Sequence, residues 1–358
     1  MATVTEGGNT AGRLSENEIR PAELLAGQEA AFARDVARLQ HRFAEFVTVS
    51  CPACGAAGSE QAFEKYGFSF KSCNGCKTLY MSPRPSEEVM ADYYRNSENY
   101  AYWAEHIFPA SESARREKIH KPWLARVLAY CDRFQVGRGT LLEIGPGFGT
   151  FSSLAIEQRA FARVMAVEPT PELAEACRRR GVVVFEKRVE DLAEGEIAEA
   201  DVVAAFEVIE HLFEPSRLLT GISRVLRPGG LLVLSCPNGQ GFDVAVLGPG
   251  SKAVDTEHVN LFNPTSLSLL VRTCGFEVLE VSTPGRLDAE FVHDVIVRGE
   301  YDVTGQPFLR RVLLDEWERL GSDFQQFLAD HQLSSHLWLV ARKPAEGNRS
   351  RGKFTKVK

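Results

Sequence analysis

The chain has 358 residues, of which 44% are apolar and 25% charged, a composition typical of a folded globular protein. Its length allows one large domain plus a small one. The formal net charge of −7 argues against a general nucleic-acid binder. No apolar run is long enough to span a bilayer and no signal peptide is recognisable, so we expect a cytoplasmic protein.

The N-terminal region has two parts, a polar segment and a segment with apolar residues at helical spacing. Residues 1–20 are polar and contain glycine, and we expect them to be disordered. Residues 21–48 carry apolar side chains at spacings of three and four, including Phe32, Val36 and Leu39. This spacing predicts an amphipathic helix that packs on the next module or on a partner.

Four of the eight cysteines are clustered, in the pattern C-x2-C-x18-C-x2-C. Cys51 and Cys54 form one pair, and Cys73 and Cys76 the other. Each pair can present two thiolates to one tetrahedral ion, which predicts a zinc ribbon over residues 49–82 with a strand from Phe63 to Phe70. Four cysteines leave no open position on the metal, so the zinc is expected to be structural.

Residues 83–135 are expected to form a helical linker that covers the cofactor or the substrate, with Ser86 capping its first helix. The segment is rich in aromatic residues, among them Tyr93, Tyr94 and Tyr100. Two interpretations stay open for them: they line a pocket, or they only pack the ribbon against the following domain.

The segment Leu141–Thr150 contains Glu143 inside a short apolar strand and then Gly145, Gly147 and Gly149, ahead of a helical pattern. Glycine lets a backbone come close to a ligand and tolerates positive φ, so a strand that runs through glycines into a helix predicts a nucleotide-binding turn. The third glycine comes one position too early for the dinucleotide motif G-x-G-x-x-G.

Residues 136–284 then alternate strands with helices. The second strand ends in Glu168, Glu190 follows the third, and Glu207 follows the fourth. Such a series predicts a parallel sheet with helices on both faces and a ligand at the carboxyl ends of its strands. Residues 285–334 are expected to be a helical insertion, 335–344 the final strand, and 345–358 a basic disordered tail.

The pattern from Glu143 to Gly149 resembles motif I of the class I S-adenosylmethionine-dependent methyltransferases, in which it surrounds the methionine part of the cofactor. The resemblance implies a Rossmann-like α/β fold and S-adenosylmethionine as cofactor. A zinc ribbon ahead of such a domain is similar to bacterial sugar C-methyltransferases. The resemblance further implies the cofactor contacts Glu143, Gly145, Gly147, Gly149, Glu168, Glu190, Asp191, Phe206 and Glu207.

The candidate catalytic residues are Glu210 and His211, after the fourth strand, and His258, after the fifth. An unperturbed histidine can deprotonate a hydroxyl, and the rate would then rise through a pKa of 6–7. A packing role is the plain alternative for His211. A metal is another, because Glu207, Glu210, His211 and a distant histidine resemble the metal site of small-RNA 2′-O-methyltransferases.

Two function classes follow. The first is a methyltransferase acting on a small molecule or glycan, with a sugar or sugar nucleotide as the expected acceptor. The second is a methyltransferase for RNA or protein, with the ribbon and basic tail as docking elements; the acidic charge disfavours nucleic acid. A binding module without activity is a remote third. The oligomeric state is open, with a homodimer as one option.

Overall fold

The computed structural model describes residues 14–345. The predicted disorder of residues 1–13 and of the tail from residue 346 lies outside the described residues. Within the predicted disordered N-terminus, residues 14–20 are instead structured, because Leu14 and Ile19 are buried against Leu287. The α-helices are α1 Glu16–Ile19, α2 Ala22–His41, α3 Glu87–Asn96, α4 Glu98–Tyr102, α5 Phe108–Arg115, α6 Lys121–Arg133, α7 Thr150–Glu157, α8 Pro171–Arg179, α9 Pro215–Val225, α10 Phe242–Leu247, α11 Pro264–Thr273, α12 Asp288–Val297, α13 Pro307–Arg310 and α14 Trp317–Asp330.

A seven-stranded sheet forms the centre, in the order β12-β13-β10-β9-β6-β7-β8. Strands β6, β7, β8, β9 and β10 of this sheet run parallel to one another, and β13 runs antiparallel to both of its neighbours, β10 and β12. This confirms the predicted Rossmann-like sheet. The strands of the whole chain are β1 Phe46–Val47, β2 Ser59–Lys65, β3 Phe68–Cys73, β4 Leu79–Met81, β5 Arg84–Pro85, β6 Thr140–Ile144, β7 Arg163–Val167, β8 Val183–Phe185, β9 Ala200–Phe206, β10 Leu226–Pro237, β11 Asn260–Leu261, β12 Glu277–Ser282 and β13 His336–Arg342.

Helices cover both faces of this sheet. Alternate residues of β6 point to opposite sides: Leu142 joins the core under α9 and α11, and Leu141 joins the core under α6 and α7. The period of two along a strand produces this division. Because both faces are covered, the carboxyl ends of the parallel strands remain as the accessible edge for a ligand.

The ribbon contains a second sheet, ordered β11-β4-β3-β2. The single strand expected from Phe63 to Phe70 is wrong, because Tyr66 and Gly67 both adopt positive φ and turn the chain back. Two such residues make the tight hairpin turn that suits twisted strands, and Lys65 pairs with Phe68 across it. The fourth strand, β11, comes from the loop after β10, more than 170 residues along the chain.

The helix expected over residues 21–48 ends earlier, at His41, and gives way to a short 3₁₀ turn and β1. Strand β10 begins at Leu226, which pairs with Ala200, and the chain bulges before the pairing resumes at Leu231. Ser86 caps α3 as predicted, accepting from the N–H of Val89.

Residues 285–334 are largely helical and form a separate apolar cluster around Val292, Leu313 and Leu328. Among residues 14–345, no helix combines the length and the apolar character needed to cross a membrane.

Candidate active site

The glycine turn between β6 and α7 holds all three glycines at positive φ. A Cβ at Gly145 would meet Val208 at 2.7 Å, and one at Gly149 would meet the sulfur of Cys177 at 2.9 Å. These two glycines are therefore required by packing. A Cβ at Gly147 would meet nothing within 4 Å. Gly147 consequently borders open space at the strand ends, where a cofactor would lie.

Two buried carboxyl groups stand beside this turn. Glu143 is 4% exposed and accepts from the hydroxyl of Ser152. Burial raises its pKa to about 7, against the lowering effect of the Ser152 bonds. Burial likewise raises the pKa of Glu168, whose carboxylate accepts from the N–H of Thr170. A cationic ligand would favour the charged form of both acids, which suits the amino and sulfonium groups of S-adenosylmethionine.

The other predicted cofactor residues differ in how far they are buried. Glu190 is half-buried after β8, whereas Asp191 is exposed and paired with Arg188 at 2.9 Å. Phe206 is a core residue: its ring packs against Trp123, Phe151 and Trp338. Its side chain is thus committed to the core, and only its backbone is left to meet a cofactor.

Glu207 adopts positive φ, at 55°, which is unusual for a residue with a side chain and costs conformational energy. Its carboxylate accepts from Ser235 at 2.7 Å and lies 3.1 Å from Nε2 of His336. Burial alone would raise the pKa of Glu207, but His336 and Ser235 together hold it below its ordinary value. Glu207 is therefore an anion fixed at the ends of β9 and β10.

His211 and His258 come together from different loops, with ring centroids 4.9 Å apart. Nδ1 of His211 lies 3.2 Å from the carbonyl oxygen of Glu257, and Nδ1 of His258 lies 2.9 Å from that of Ala253. A carbonyl oxygen can only accept, so each Nδ1 must carry the proton. In its neutral form, each ring then keeps a lone pair on Nε2. Nδ1 of His258 also lies 3.4 Å from the carboxylate of Asp255.

Glu210 lies beside the two histidines. It is fully buried, and neither carboxylate oxygen has a hydrogen-bond partner. Burial, and next the charge of Glu207, raises its pKa well above the ordinary value. Ligand atoms of Glu210, His211 and His258 lie within 4.8 Å of one another, so the three residues could hold a cation. The three predicted catalytic residues thus form one cluster.

Tyrosines from the ribbon side cover this cluster. Tyr93 donates to Glu257 at 2.6 Å, and the ring of Tyr94 lies 6.2 Å from that of His211. Tyr94 and Tyr100 are edge to face, with centroids 5.6 Å apart. Tyr93 and Tyr94 also pack in the apolar cluster of the ribbon, together with Phe68 and Val259. Both interpretations of these aromatic residues therefore stay predictions. Phe108 instead stacks on Phe148 of the glycine turn, at 3.9 Å.

Glu257 and His336 were not among the predicted site residues. Glu257 directly precedes His258 in the sequence, and an acidic residue next to a candidate base is the local signal that marks it. Burial, and next the charge of Asp255, raises its pKa to about 7. His336 begins the last strand, 129 residues after Glu207. No local pattern marks it, because only the antiparallel pairing of β13 with β10 brings it to the site.

The four ribbon cysteines also converge. Sulfur–sulfur distances are 3.5 Å for the pairs Cys51–Cys76, Cys54–Cys73 and Cys54–Cys76. Tetrahedral zinc with Zn–S bonds of about 2.3 Å requires sulfurs roughly 3.8 Å apart. Burial alone would raise the pKa of Cys73, but the backbone N–H groups of Cys76 and Gly75 bring it down to about 7. The donor set fits zinc.

Comparison with known proteins gives an independent view of the domain. Residues 113–281 match a family model described as "Methyltransferase domain". The chain is 32% identical over 164 residues to a ubiquinone biosynthesis O-methyltransferase of Xanthomonas oryzae pv. oryzae, covering 42% of this chain and 67% of that protein.

Among solved structures, a S-adenosylmethionine-dependent methyltransferase from Clostridium acetobutylicum is 9% identical, with a TM-score of 0.44 over 69% of this chain and 99% of that one. Phosphoethanolamine N-methyltransferase 2 of Haemonchus contortus, in complex with S-adenosyl-L-methionine, is 20% identical, with a TM-score of 0.40 over 62% of this chain and 52% of that one. On the family match, the curated relative and the sheet with its glycine turn, the chain belongs to the S-adenosylmethionine-dependent methyltransferases.

Proposed function

We propose that this enzyme transfers the methyl group of S-adenosylmethionine to a hydroxyl oxygen of a small molecule, bound between His211, His258 and the tyrosines above them. The observation that carries the proposal is the convergence of two imidazoles, each with Nδ1 against a carbonyl oxygen and Nε2 left free, beside the buried carboxyl group of Glu210. The cofactor lies over the glycine turn, with Glu143 and Glu168 near its methionine and ribose and with Glu190 and Asp191 on the adenine side.

The reaction is an in-line displacement. The acceptor oxygen attacks the methyl carbon, the carbon–sulfur bond breaks, and S-adenosylhomocysteine leaves. The hydroxyl proton must go to a base, and a free Nε2 at the site can take it. The remaining contribution of the protein is orientation of the two reactants.

A small acceptor fits the charge of the site better than RNA does. The anions that act on His211 are Asp255 and Glu207, and such a field would repel phosphates. The O-methyltransferase relative favours a hydroxyl acceptor. Phenols and sugars, including sugar nucleotides, are the two acceptor classes to test, the second because of the ribbon's resemblance to sugar methyltransferases.

A second candidate mechanism uses a divalent cation held by Glu210, His211 and His258. Burial, and next the charge of His258, lowers the pKa of His211 to about 4, which makes it a weak base but a good neutral ligand. The carboxyl group of Glu210 has no hydrogen-bond partner, and a bound cation would favour its charged form. When bound, the cation would lower the pKa of the acceptor hydroxyl.

We also propose that the ribbon cysteines hold one structural zinc ion. The four thiolates would fill its coordination sphere, so this ion would take no part in methyl transfer.

The test is transfer of labelled methyl from S-adenosylmethionine to a panel of catechols, monosaccharides and sugar nucleotides, with bulk RNA and protein as further arms. We expect label in a small hydroxylated compound and loss of transfer in His211→Ala or His258→Ala. Label only in RNA or protein would overturn the small-molecule proposal. Full turnover in both variants would return the histidines to a structural role.

A further inference from the structure

Asn260 lies at the point where the ribbon meets the catalytic loop. It is the first residue of β11, which pairs antiparallel with β4 of the ribbon, Asn260 opposite Tyr80. The backbone N–H of Met81 donates to the carbonyl of Val259 and continues the pairing. The loop that carries His258 is therefore fixed as an edge strand of the ribbon sheet.

The side chain of Asn260 is fully buried and faces the turn that carries Glu210 and His211. Its Nδ2 lies 2.7 Å from the carbonyl oxygen of Leu212, 3.3 Å from that of Glu210 and 3.4 Å from that of Ile209. One amide group thus donates to the carbonyls of a 3₁₀ turn at the end of β9. Buried carbonyls without such a donor would destabilise the turn.

Arg84, from β5 of the ribbon, completes the connection. Its Nη1 donates to Oδ1 of Asn260 at 2.9 Å and to the carbonyl of Phe213 at 3.2 Å, and its Nε donates to Met81 at 3.2 Å. Arg84 is 1% exposed. Its donation to Oδ1 fixes the orientation of the Asn260 amide, since only the opposite end can then donate to the turn.

We infer that Asn260 is a positioning residue for methyl transfer, with Arg84 as its support. Through it the ribbon holds the turn of Glu210 and His211 in the geometry in which His211 donates to Glu257 and presents Nε2 to the acceptor. The importance of that geometry for methyl transfer rests on the function proposed above. The hydrogen bonds from Asn260 to the turn do not depend on that function.

The variant Asn260→Asp tests this role with little change of shape. The carboxylate still accepts from Arg84, but the Nδ2 donors to the turn are gone. Asn263→Asp is the matched control. Asn263 is also buried, and its Nδ2 also links the loop to the ribbon, at the carbonyl of Cys76, but it does not contact the catalytic turn.

Hydrogen exchange of the full-length protein with bound S-adenosylhomocysteine should report the loss. In Asn260→Asp we expect amides of residues 207–214 to exchange about 10- to 100-fold faster, the effect of losing one or two buried hydrogen bonds. Asn263→Asp should leave this segment unchanged.

¹⁵N-histidine NMR gives a second measurement that a general loss of stability would not produce. In the wild type His211, assigned through His211→Gln, should show a protonated Nδ1 and an unprotonated Nε2. In Asn260→Asp the proton of the neutral His211 ring should move from Nδ1 to Nε2. In Asn263→Asp the ring should keep the wild-type tautomer. Asn260→Ser serves as the second variant where the aspartate does not fold.

Unchanged exchange and an unchanged His211 tautomer in folded Asn260 variants would overturn the inference. The proposed acceptor site can fail separately, since retained turnover in His211→Ala would leave these two measurements intact.

Discussion

The hydroxyl of Tyr93 donates to the carboxylate of Glu257 at 2.6 Å, and this bond joins the helix after the ribbon to the loop that carries His258. Both residues are buried. Burial, and next the charge of Asp255, raises the pKa of Glu257 to about 7, whereas the Tyr93 bond lowers it. The tyrosine therefore stabilises a carboxylate that the surrounding protein would otherwise protonate.

Tyr93→Phe should lower the free energy of unfolding by about 1–3 kcal/mol, the cost of leaving a buried acceptor without its donor. The pKa of Glu257 should rise further. Because a raised folded-state pKa contributes stability below the unfolded value of about 4.3 and loses it as pH rises through the folded value, the variant should lose more stability than the wild type between pH 5 and 8. Denaturant unfolding at several pH values measures this. The exposed Tyr66, as Tyr66→Phe, is the control, and equal effects of both changes would contradict the assignment.

Gly147→Ala should weaken S-adenosylmethionine binding by about two orders of magnitude, because a methyl group would occupy space that faces the cofactor, a loss of roughly 2.7 kcal/mol. Gly181 has a similar positive φ and equally open surroundings but lies after α8. Gly181→Ala thus imposes the same backbone strain away from the site and should bind normally. Calorimetry compares the two, and equal affinities would refute the placement of the cofactor.

Freshly purified protein should contain one zinc ion per chain. Cys73→Ser should release it and destabilise the ribbon, since metal binding and local folding are coupled. Cys274→Ser removes a half-exposed cysteine outside the ribbon and should keep the metal. Elemental analysis decides, and a zinc content near zero in the wild type would contradict the ribbon site.

Glu210→Gln separates the two mechanisms for the acceptor proton. If a divalent cation acts at this site, turnover should need added metal after chelation, and the neutral amide should abolish that rescue. If a histidine is the base, chelation should leave turnover unchanged. The variant should then be more stable at neutral pH, because an amide avoids the free-energy cost of protonating Glu210 on folding. Metal titrations of both proteins after chelation provide the answer.

Acid stability should depend on His211. Its pKa of about 4 lies below the unfolded value of about 6.5, so its contribution is complete above pH 6.5 and is lost as pH falls towards 4. The difference amounts to roughly 3 kcal/mol at most. Between pH 6.5 and 4, the free energy of unfolding should fall by a correspondingly smaller amount in His211→Gln than in the wild type. The exposed His106 is the control, as His106→Gln. If His211 is the base, the acidic limb of the rate should lie near pH 4, not at the 6–7 expected for an unperturbed histidine.

The parts of the fold that sequence could predict are those set by local chemistry. The glycine turn, Ser86 as a helix cap and the cysteine pairs depend on neighbours in the chain. The convergence of His211 with His258 could be anticipated from topology, since both follow adjacent parallel strands. Three features could not be predicted from the sequence. The Tyr66 turn requires positive φ at a tyrosine, His336 reaches the site only through antiparallel pairing, and Phe206 is held in the core by Trp123 from a distant helix.

The pairing of β11 with β4 has a consequence for recombination. A cut in the linear sequence near residue 85 would remove three of the four strands of the ribbon sheet and leave the fourth, Asn260–Leu261, in the catalytic domain without a partner. An unpaired strand edge invites aggregation. A chimera that exchanges the N-terminal module must therefore carry residues 251–263 with it. The same constraint applies to natural sequence change: substitutions in β4 of the ribbon and in β11 of the loop have to remain compatible, because the two strands pair with each other.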